Sequence, residues 1–244
     1  GTNFAGWQIQ KNADSVQGRI TSALEILFKE KINLIGSGRT DAGVHAWGQV
    51  ANFRASVEKD SEKLHRSLNG MLPPEIRIKS IFTVPEEFHA RFDAKRRIYI
   101  YVLSTSENPF FRKYCLFKNH YSSLNISGLN SISEKFIGKK DFSSFSRKIC
   151  ASENKLCDVT DARWYRKGDF VFFRIEADRF LHGMVMAITG SVLKIYETNR
   201  EPSVVSEILM QKDREAAFES VPSSGLFLFK VKYPVSATGE VRNI

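Results

Sequence analysis

Residues 36–46 read Gly-Ser-Gly-Arg-Thr-Asp-Ala-Gly-Val-His-Ala and form the most informative stretch of the chain. Three glycines within eight residues allow positive φ angles and a close approach of a ligand to the backbone. The stretch lacks the Gly-Lys-Ser/Thr ending of a phosphate-binding loop, and it completes no dinucleotide fingerprint. Chemistry alone leaves two interpretations open. One is a hairpin loop stabilised by its Asp and Thr side chains, and the other is an active site built on Arg39 and Asp41.

The sequence on both sides of this loop mixes helix and strand patterns. Apolar spacing predicts helices at 16–27, near 60–69, around 129–136, at 180–196 and near 204–211. Alternation and β-branched or aromatic content predict strands at 31–36, 48–54, 75–82, 97–103, 156–165, 169–177 and 225–233. Asp14 or Ser15 is expected to cap the first helix, and Gly70 with Pro73-Pro74 to end the second. Because strands and helices do not alternate regularly, we expect an α+β fold with an antiparallel sheet.

The charge balance favours a polyanionic partner. The 244 residues carry a formal net charge of +9, with a sequence pI near 9.5. Each Lys or Arg that neutralises a phosphate releases counterions, so nucleic acid is the expected partner. Several basic residues stand next to each other in the sequence: Lys95-Arg96-Arg97, Arg112-Lys113, Arg147-Lys148, Arg163 and Arg166-Lys167. No apolar run approaches the roughly 20 residues of a membrane span, and membrane-surface binding is not expected.

Cysteine and histidine positions give no sign of a metal site. Cys115, Cys150 and Cys157 lack CxxC spacing, so we expect reduced thiols in a cytoplasmic protein and no zinc. His45 and His182 also form no HxH or HxxxH pair, either together or with the other histidines.

The glycine-rich stretch resembles the signature of the TruA-type tRNA pseudouridine synthase family, in which the Asp of Gly-Arg-Thr-Asp-Ala-Gly-Val-His is catalytic. Further segments resemble motifs of that family in the family's order: 1–8 (Gly-Thr-Asn-Phe-Ala-Gly-Trp-Gln), 88–92 (Phe-His-Ala-Arg-Phe), 97–101 (Arg-Ile-Tyr-Ile-Tyr), 141–145 (Asp-Phe-Ser-Ser-Phe), 180–185 (Phe-Leu-His-Gly-Met-Val) and 225–228 (Gly-Leu-Phe-Leu). The strand that normally precedes the family's opening motif is missing, so we expect a trimmed version of a longer protein.

This resemblance implies isomerisation of uridine to pseudouridine, with no metal or organic cofactor. Asp41 would be the nucleophile, attacking either the uracil ring or the ribose C1′. Because these atoms lie inside a stacked helix or loop, the target nucleotide must first be flipped out. Arg39 would fill the vacated space or hold the flanking phosphate, or it would instead form a structural ion pair.

The resemblance also assigns substrate and RNA contacts. Tyr99 would stack on the uracil, since it points away from the aliphatic strand face that carries Ile98 and Ile100, and Leu226 would pack under the same base. RNA-binding residues are expected in the Phe-His-Ala-Arg-Phe segment and in two of the basic clusters: Phe88, His89, Ala90, Arg91, Phe92, Arg97, Arg147 and Lys148.

Position 186 departs from the family pattern. The family segment matching Phe180–Val185 continues with an arginine that pairs with the catalytic carboxylate, whereas this chain has Met186. On the predicted helix, Met186 lies about 140° from the core stripe, so we expect it to face the cleft. A buried carboxylate without its cation is destabilised or takes up a proton. Arg39, Arg179 or His182 would have to replace the missing cation, or activity is weakened.

The complete prediction is an α+β fold of two ferredoxin-like halves, residues 1–104 and 105–244. They would form one extended antiparallel sheet, with helices on one side and a central catalytic cleft. The first half carries the catalytic Asp loop and the Tyr strand, and the second completes the cleft. The implied partners are tRNA, modified at positions 38, 39 and 40 of the anticodon stem-loop, and a second copy in a homodimer. Two alternatives are a tRNA-binding protein weakened in catalysis by Met186, and a nucleotide hydrolase using the loop, which the motif does not support.

Overall fold

The computed structural model describes residues 1–147 and 154–234. The helices in these ranges are α1 (Val16–Phe28), α2 (Ser61–Met71), α3 (Ile126–Ser133), α4 (Met184–Glu197) and α5 (Val204–Gln211). The strands are β1 (Ile35–Gly36), β2 (His45–Ala46), β3 (Ala51–Asn52), β4 (Arg96–Ser104), β5 (Leu116–Phe117), β6 (Gly138–Asp141), β7 (Leu156–Lys167), β8 (Phe170–Ala177) and β9 (Leu226–Lys232). This mixture of helices with mostly antiparallel strands confirms the predicted fold class.

The chain divides into two compact units. The first unit contains Gly1–Lys95 and the described residues that follow Lys230, and the second contains Arg96–Lys230. The glycine-rich loop with Asp41 therefore belongs to the first unit. Strand β4, which carries Tyr99, belongs to the second.

The first unit is built on α1 and α2. Ser15 caps α1 by accepting a hydrogen bond from the backbone N–H of Gly18 (3.2 Å), which decides between the two predicted capping residues. Asp60 caps α2 in the same way by accepting from the N–H of Lys63 (2.8 Å). Both helices bury one apolar face in a shared core: Phe4, Trp7, Ile20, Ala23, Leu24, Ile32, Leu34, Leu64, Leu68, Leu72 and Ile76.

Three local predictions in this unit were wrong or only partly right. Helix α2 continues through Gly70, which was expected to help end it, and it ends at Met71, ahead of Pro73-Pro74 as expected. Residues 75–82 form no strand, because the backbone of Ile78 bonds to the side chain of Asn69 instead of to a neighbouring strand. The strands expected at 31–36 and 48–54 shrink to the two-residue pair β1 and β3, in which Ile35 lies opposite Asn52.

The second unit is organised around a sheet in the order β9-β4-β8-β7-β6. Strand β4 pairs antiparallel with β8, β8 with β7, and β7 with β6, while β5 pairs parallel with β4. Tyr101, Phe173 and Trp164 lie side by side across β4, β8 and β7 and are almost completely buried. The indole N–H of Trp164 donates to the hydroxyl of Ser133 (2.8 Å), so α3 covers this face of the sheet.

The long elements of this unit match the predictions closely. Strands β7 and β8 and helix α5 lie where the patterns placed them. Helix α4 begins at Met184 and not near 180, because His182 and Gly183 form a turn before it. Every residue of α4 from Met184 to Leu193 is buried, so the single core stripe predicted for this helix was wrong.

Cys115 and Cys157 are free and buried, whereas Cys150 lies outside the described residues. Burial raises the pKa of the Cys115 thiol. Among the described residues, no helix is both long and apolar enough to cross a membrane.

Candidate active site

Asp41 begins a tight turn. The backbone N–H of Val44 donates to the carbonyl oxygen of Asp41 (3.1 Å), which closes a four-residue β-turn. Its third residue, Gly43, has a φ of 80°, the value that a type II turn requires and that favours glycine. The Asp41 side chain is half-buried. The sequence motif therefore fixes the backbone that presents the carboxylate.

The opening segment of the chain holds this turn in place. The backbone N–H of Trp7 donates to the carbonyl oxygen of Thr40 (3.0 Å), the residue before Asp41. Gly6 has a φ of +99°, and a Cβ atom built there would lie 2.4 Å from the Thr40 oxygen. Only glycine fits such a close approach between two backbone segments. The opening segment and the glycine-rich loop, which are separate motifs in the sequence, are thus in direct backbone contact.

Gln49 supports the other side of the loop. The Ser37 hydroxyl donates to its amide oxygen (2.5 Å), and its amide nitrogen donates to the carbonyl of Gly38 (2.9 Å). The N–H of Ser37 also donates to the carbonyl of Val50 (2.8 Å). No local sequence pattern indicates Gln49, because its role depends on contacts across 11 residues of the chain.

Arg39 is exposed, two residues before Asp41. Within residues 1–147 and 154–234 it makes no ion pair and no hydrogen bond. Its guanidinium group is therefore accessible to a ligand in the described structure.

Tyr99 lies on β4, opposite Ile175 of β8. Its half-buried ring meets the ring of Phe180 edge to face, with centroids 5.1 Å apart and an interplanar angle of 83°. Tyr101 and Leu103, on the same side of the strand, are fully buried. Tyr99 is thus more accessible than Tyr101 and Leu103, as a base-stacking residue needs to be.

Leu226 is the first residue of β9 and is 4% exposed. The strand that carries it starts against β4: the Tyr101 hydroxyl donates to the carbonyl of Pro222 (2.8 Å), and a Cβ atom on Gly225 would lie 2.8 Å from the Tyr101 ring. Burial raises the pKa of Tyr101, so this hydroxyl keeps its proton for the bond.

The segment 88–92 divides into buried and exposed residues. The Phe88 ring is buried beside Tyr233, with centroids 5.2 Å apart. Ala90 is fully buried, and its N–H donates to the side chain of Asn52 (2.8 Å). In contrast, Arg91 and Phe92 are exposed.

His89 and Phe92 together form the accessible part of this segment. Their rings lie 4.2 Å apart, the Arg91 guanidinium sits 5.5 Å from the Phe92 ring, and Phe92 is 72% exposed. Direct contact with a ligand is therefore open to the side chains of His89, Arg91 and Phe92, and not to those of Phe88 and Ala90.

The predicted basic clusters have different surroundings. Arg96 bridges Asp158 (2.9 Å), and the Arg97 guanidinium donates to the carbonyl of Asp178 (2.8 Å). Arg147 is exposed, and its backbone N–H donates to the carbonyl of His182 (3.0 Å). Lys148 lies outside the described residues.

Met186 lies within the buried part of α4 and is 4% exposed. Its carbonyl oxygen accepts a hydrogen bond from the N–H of Val221 (3.2 Å). An apolar side chain thus occupies an enclosed position where the sequence resemblance implies an arginine. In the described residues, no three His, Cys, Asp or Glu side chains lie close enough together to hold a metal ion.

The family model and the individual proteins that match this chain all belong to one family. The family model described as tRNA pseudouridine synthase matches residues 1–93 and 132–234. The protein named tRNA pseudouridine synthase A from Dictyoglomus thermophilum is 39% identical over 240 residues, covering 96% of each chain. Proteins with the same name from Francisella tularensis subsp. novicida and Exiguobacterium sp. are 34% identical, covering 96% of this chain and 91% and 94% of theirs. The chain therefore belongs to the tRNA pseudouridine synthase family.

Proposed function

We propose that this protein isomerises uridines 38, 39 and 40 of the tRNA anticodon stem-loop to pseudouridine, with Asp41 as the nucleophile. The observation that carries this proposal is the turn at Asp41. Its backbone is held at Thr40 by Trp7 and closed at Val44, so a half-buried carboxylate stands at a fixed position. A fixed and partly desolvated carboxylate suits a nucleophile that must attack one atom of a bound nucleotide.

The reaction rearranges the bonds within a single nucleotide. The bond between uracil N1 and ribose C1′ breaks, the uracil turns while it stays bound, and a bond forms between its C5 and C1′. The proton that leaves C5 passes to solvent, and N1 gains one, so the product is an isomer of the substrate. No oxidant, reductant or second substrate enters this balance, and we therefore propose catalysis without a cofactor.

Three further residues serve the flipped nucleotide or its surroundings in this proposal. Tyr99 stacks on the uracil, a contact that contributes about 1–3 kcal/mol per base. Its partly accessible ring, braced by Phe180, supports this role. Leu226 packs under the same base. Arg39, exposed two residues before Asp41, holds the flanking phosphate or fills the space that the nucleotide leaves.

The remaining RNA contacts are spread over the surface. We propose that His89, Arg91, Phe92 and Arg147 touch tRNA directly. Phe88 and Ala90 support this surface from beneath, and Arg97 orders the end of β4 through its bond to Asp178. The wider proposal includes two ferredoxin-like halves, a homodimer whose two copies both contact tRNA, a cytoplasmic location and no membrane association.

A second candidate function rests on Met186. An apolar side chain in an enclosed position offers no positive charge to a carboxylate. If no other cation takes over, the protein would bind tRNA on the same scaffold with weak catalysis or none. Arg39, Arg179 and His182 are the residues we propose as replacements for that cation.

The test is direct. Unmodified tRNA labelled at its uridines is incubated with the purified protein without added metal, digested, and analysed for pseudouridine. The proposal expects stoichiometric conversion at positions 38–40, and transcripts with cytidine at these positions serve as controls. Tight tRNA binding without pseudouridine would favour the second candidate, and an absence of both would contradict the two proposals together.

A further inference from the structure

Trp47 is an exposed aromatic residue that follows β2, close in sequence to the turn of Asp41. Its side chain is 64% exposed, whereas the other two tryptophans of the chain, Trp7 and Trp164, are 6% and 2% exposed. The Lys79 ammonium lies 4.3 Å from the Trp47 ring centroid and donates to the Trp47 carbonyl (3.1 Å). An exposed indole is a surface on which an unpaired base can stack.

The extended segment that carries Lys79 also displays Arg77. Ile76 is buried and Ile78 half-buried, while Arg77 and Lys79 point outward at two-residue spacing, about 7 Å apart. Asn69 fixes this backbone: its amide oxygen accepts from the N–H of Ile78 (2.9 Å), and its amide nitrogen donates to the Ile78 carbonyl (2.9 Å). The two cations are therefore held side by side on a fixed backbone.

A groove separates this segment from α2. It consists of two adjoining open cavities of about 370 and 530 Å³, and His65 and Arg66 line both of them. The Nε2 atom of His65 lies 2.8 Å from the Ile78 carbonyl oxygen, which ties the two walls together. Arg77 lines the larger cavity. The polar residues Ser61 and Ser80 line the smaller one, with Glu62 as its acidic member.

The two arginines of the groove are Arg66 and Arg77. Arg66 and Arg77 are both exposed, and neither guanidinium group makes an ion pair or a hydrogen bond within the described parts of the chain. Arg96 differs, because its charge is neutralised by Asp158. Unpaired arginines beside an open groove are suited to phosphate groups.

We propose that these five residues, Trp47, Lys79, Arg77, Arg66 and His65, form a basic surface that binds an unpaired segment of the substrate RNA next to the modified nucleotide. Trp47 stacks on one base, and the arginines bind the phosphates that follow. A basic groove combined with an aromatic platform is the arrangement by which proteins hold single-stranded nucleic acid. Trp47 lies six residues after Asp41 in the chain, so the two residues are at most about 22 Å apart. This inference rests on the proposed function and adds a substrate surface to it.

The first test measures how tRNA affinity depends on salt. If about six phosphates are neutralised, the log affinity of the unaltered protein falls with log salt at a slope around −4 to −5. The double variant Arg66→Gln/Arg77→Gln removes two contacts and should reduce that slope by about 1.4, at about 0.7 per single-stranded phosphate. It should also raise KM for tRNA while kcat stays within about twofold. Arg19→Gln removes an exposed arginine that is already paired with Asp14 and should leave the slope unchanged.

The second test follows Trp47 by fluorescence. Because the other two tryptophans are buried, a neutral quencher such as acrylamide acts mainly on Trp47. Adding tRNA should protect this residue from the quencher, and in Trp47→Phe the protection should disappear while the folded signal remains.

The two tests separate this inference from the proposed function. An unchanged salt slope in the double variant, or a Trp47 that stays fully quenched with tRNA bound, overturns the basic surface even if pseudouridine forms normally. Loss of pseudouridine formation with both binding effects intact would contradict the proposed function and leave the surface standing. Both tests use the whole chain, and the salt slope and the fluorescence signal depend on binding alone, so these two readouts give an answer in either case.

Discussion

The backbone N–H of Trp7 donates a hydrogen bond to the carbonyl oxygen of Thr40 at 3.0 Å, joining the opening segment to the turn that carries Asp41. The same segment is held at a second place, where the Ala5 N–H donates to the carbonyl of Asp14 just before α1. Hydrogen bonds therefore connect Asp14, just before α1, through the opening segment to Thr40, the residue before the candidate nucleophile. We infer that the opening segment acts on catalysis by positioning Asp41.

Gly6→Ala should weaken both stability and activity. The residue has a φ of +99°, and an added Cβ would lie 2.4 Å from the Thr40 carbonyl oxygen. Strain of this kind costs about 1–3 kcal/mol, and relief requires Thr40 and Asp41 to move. The midpoint temperature of thermal unfolding and kcat should both fall. Gly38→Ala is a matched control in the same loop, since a Cβ there meets no atom within 4 Å and should change neither quantity much. Equal behaviour of the two variants would show that the contact with Thr40 does not matter.

Tyr99 and Tyr101, two residues apart on β4, should separate function from stability. Tyr101 is fully buried and bonded to the Pro222 carbonyl, so Tyr101→Ala should reduce the free energy of unfolding by about 3–5 kcal/mol. Tyr99 is half-buried, so Tyr99→Ala should cost far less stability but raise the barrier for tRNA modification by about 1–3 kcal/mol through lost stacking. Denaturant unfolding and kcat/KM for each variant provide the measurement. If Tyr99→Ala keeps normal kcat/KM, Tyr99 does not stack on the substrate.

Met186→Arg tests whether this position acts on the Asp41 carboxylate that we propose as the nucleophile. A cation beside a carboxylate favours its ionised form, so turnover measured between about pH 5 and 8 should rise. Met186→Leu preserves an apolar side chain of similar size and should leave the pH profile unchanged. Circular dichroism must show that both variants are folded, because position 186 is only 4% exposed. A folded arginine variant with an unaltered profile would mean that position 186 does not act on Asp41.

The sequence predicted most reliably what depends on long repeating patterns. Strands β7 and β8 and helix α5 matched their patterns, because alternation or helical spacing over eight or more residues leaves little ambiguity. Residues 75–82 also showed apolar alternation, but their backbone bonds go to the Asn69 side chain. Alternation shows which side chains point inward, and it does not show whether a neighbouring strand exists.

The candidate site was only partly predictable. The motif around Asp41 was clear from sequence, but the supports of the loop were not. Gln49 and the Trp7–Thr40 bond act across distances in the chain that no local pattern reveals. Similarly, Arg96 looked like part of an RNA-binding cluster until the structure showed its bridge to Asp158. Charge in the sequence does not reveal which cations are already paired.

The most direct test of the account is the conversion of uridine to pseudouridine by the unaltered protein and by Asp41→Asn. Asparagine has nearly the same shape and keeps the turn, but it cannot supply a carboxylate nucleophile. We expect no pseudouridine from Asp41→Asn, with tRNA affinity within a few-fold of the unaltered protein, since most binding energy comes from phosphate contacts spread over a large surface. Near-normal pseudouridine formation by purified Asp41→Asn would contradict the assignment of Asp41 as the nucleophile.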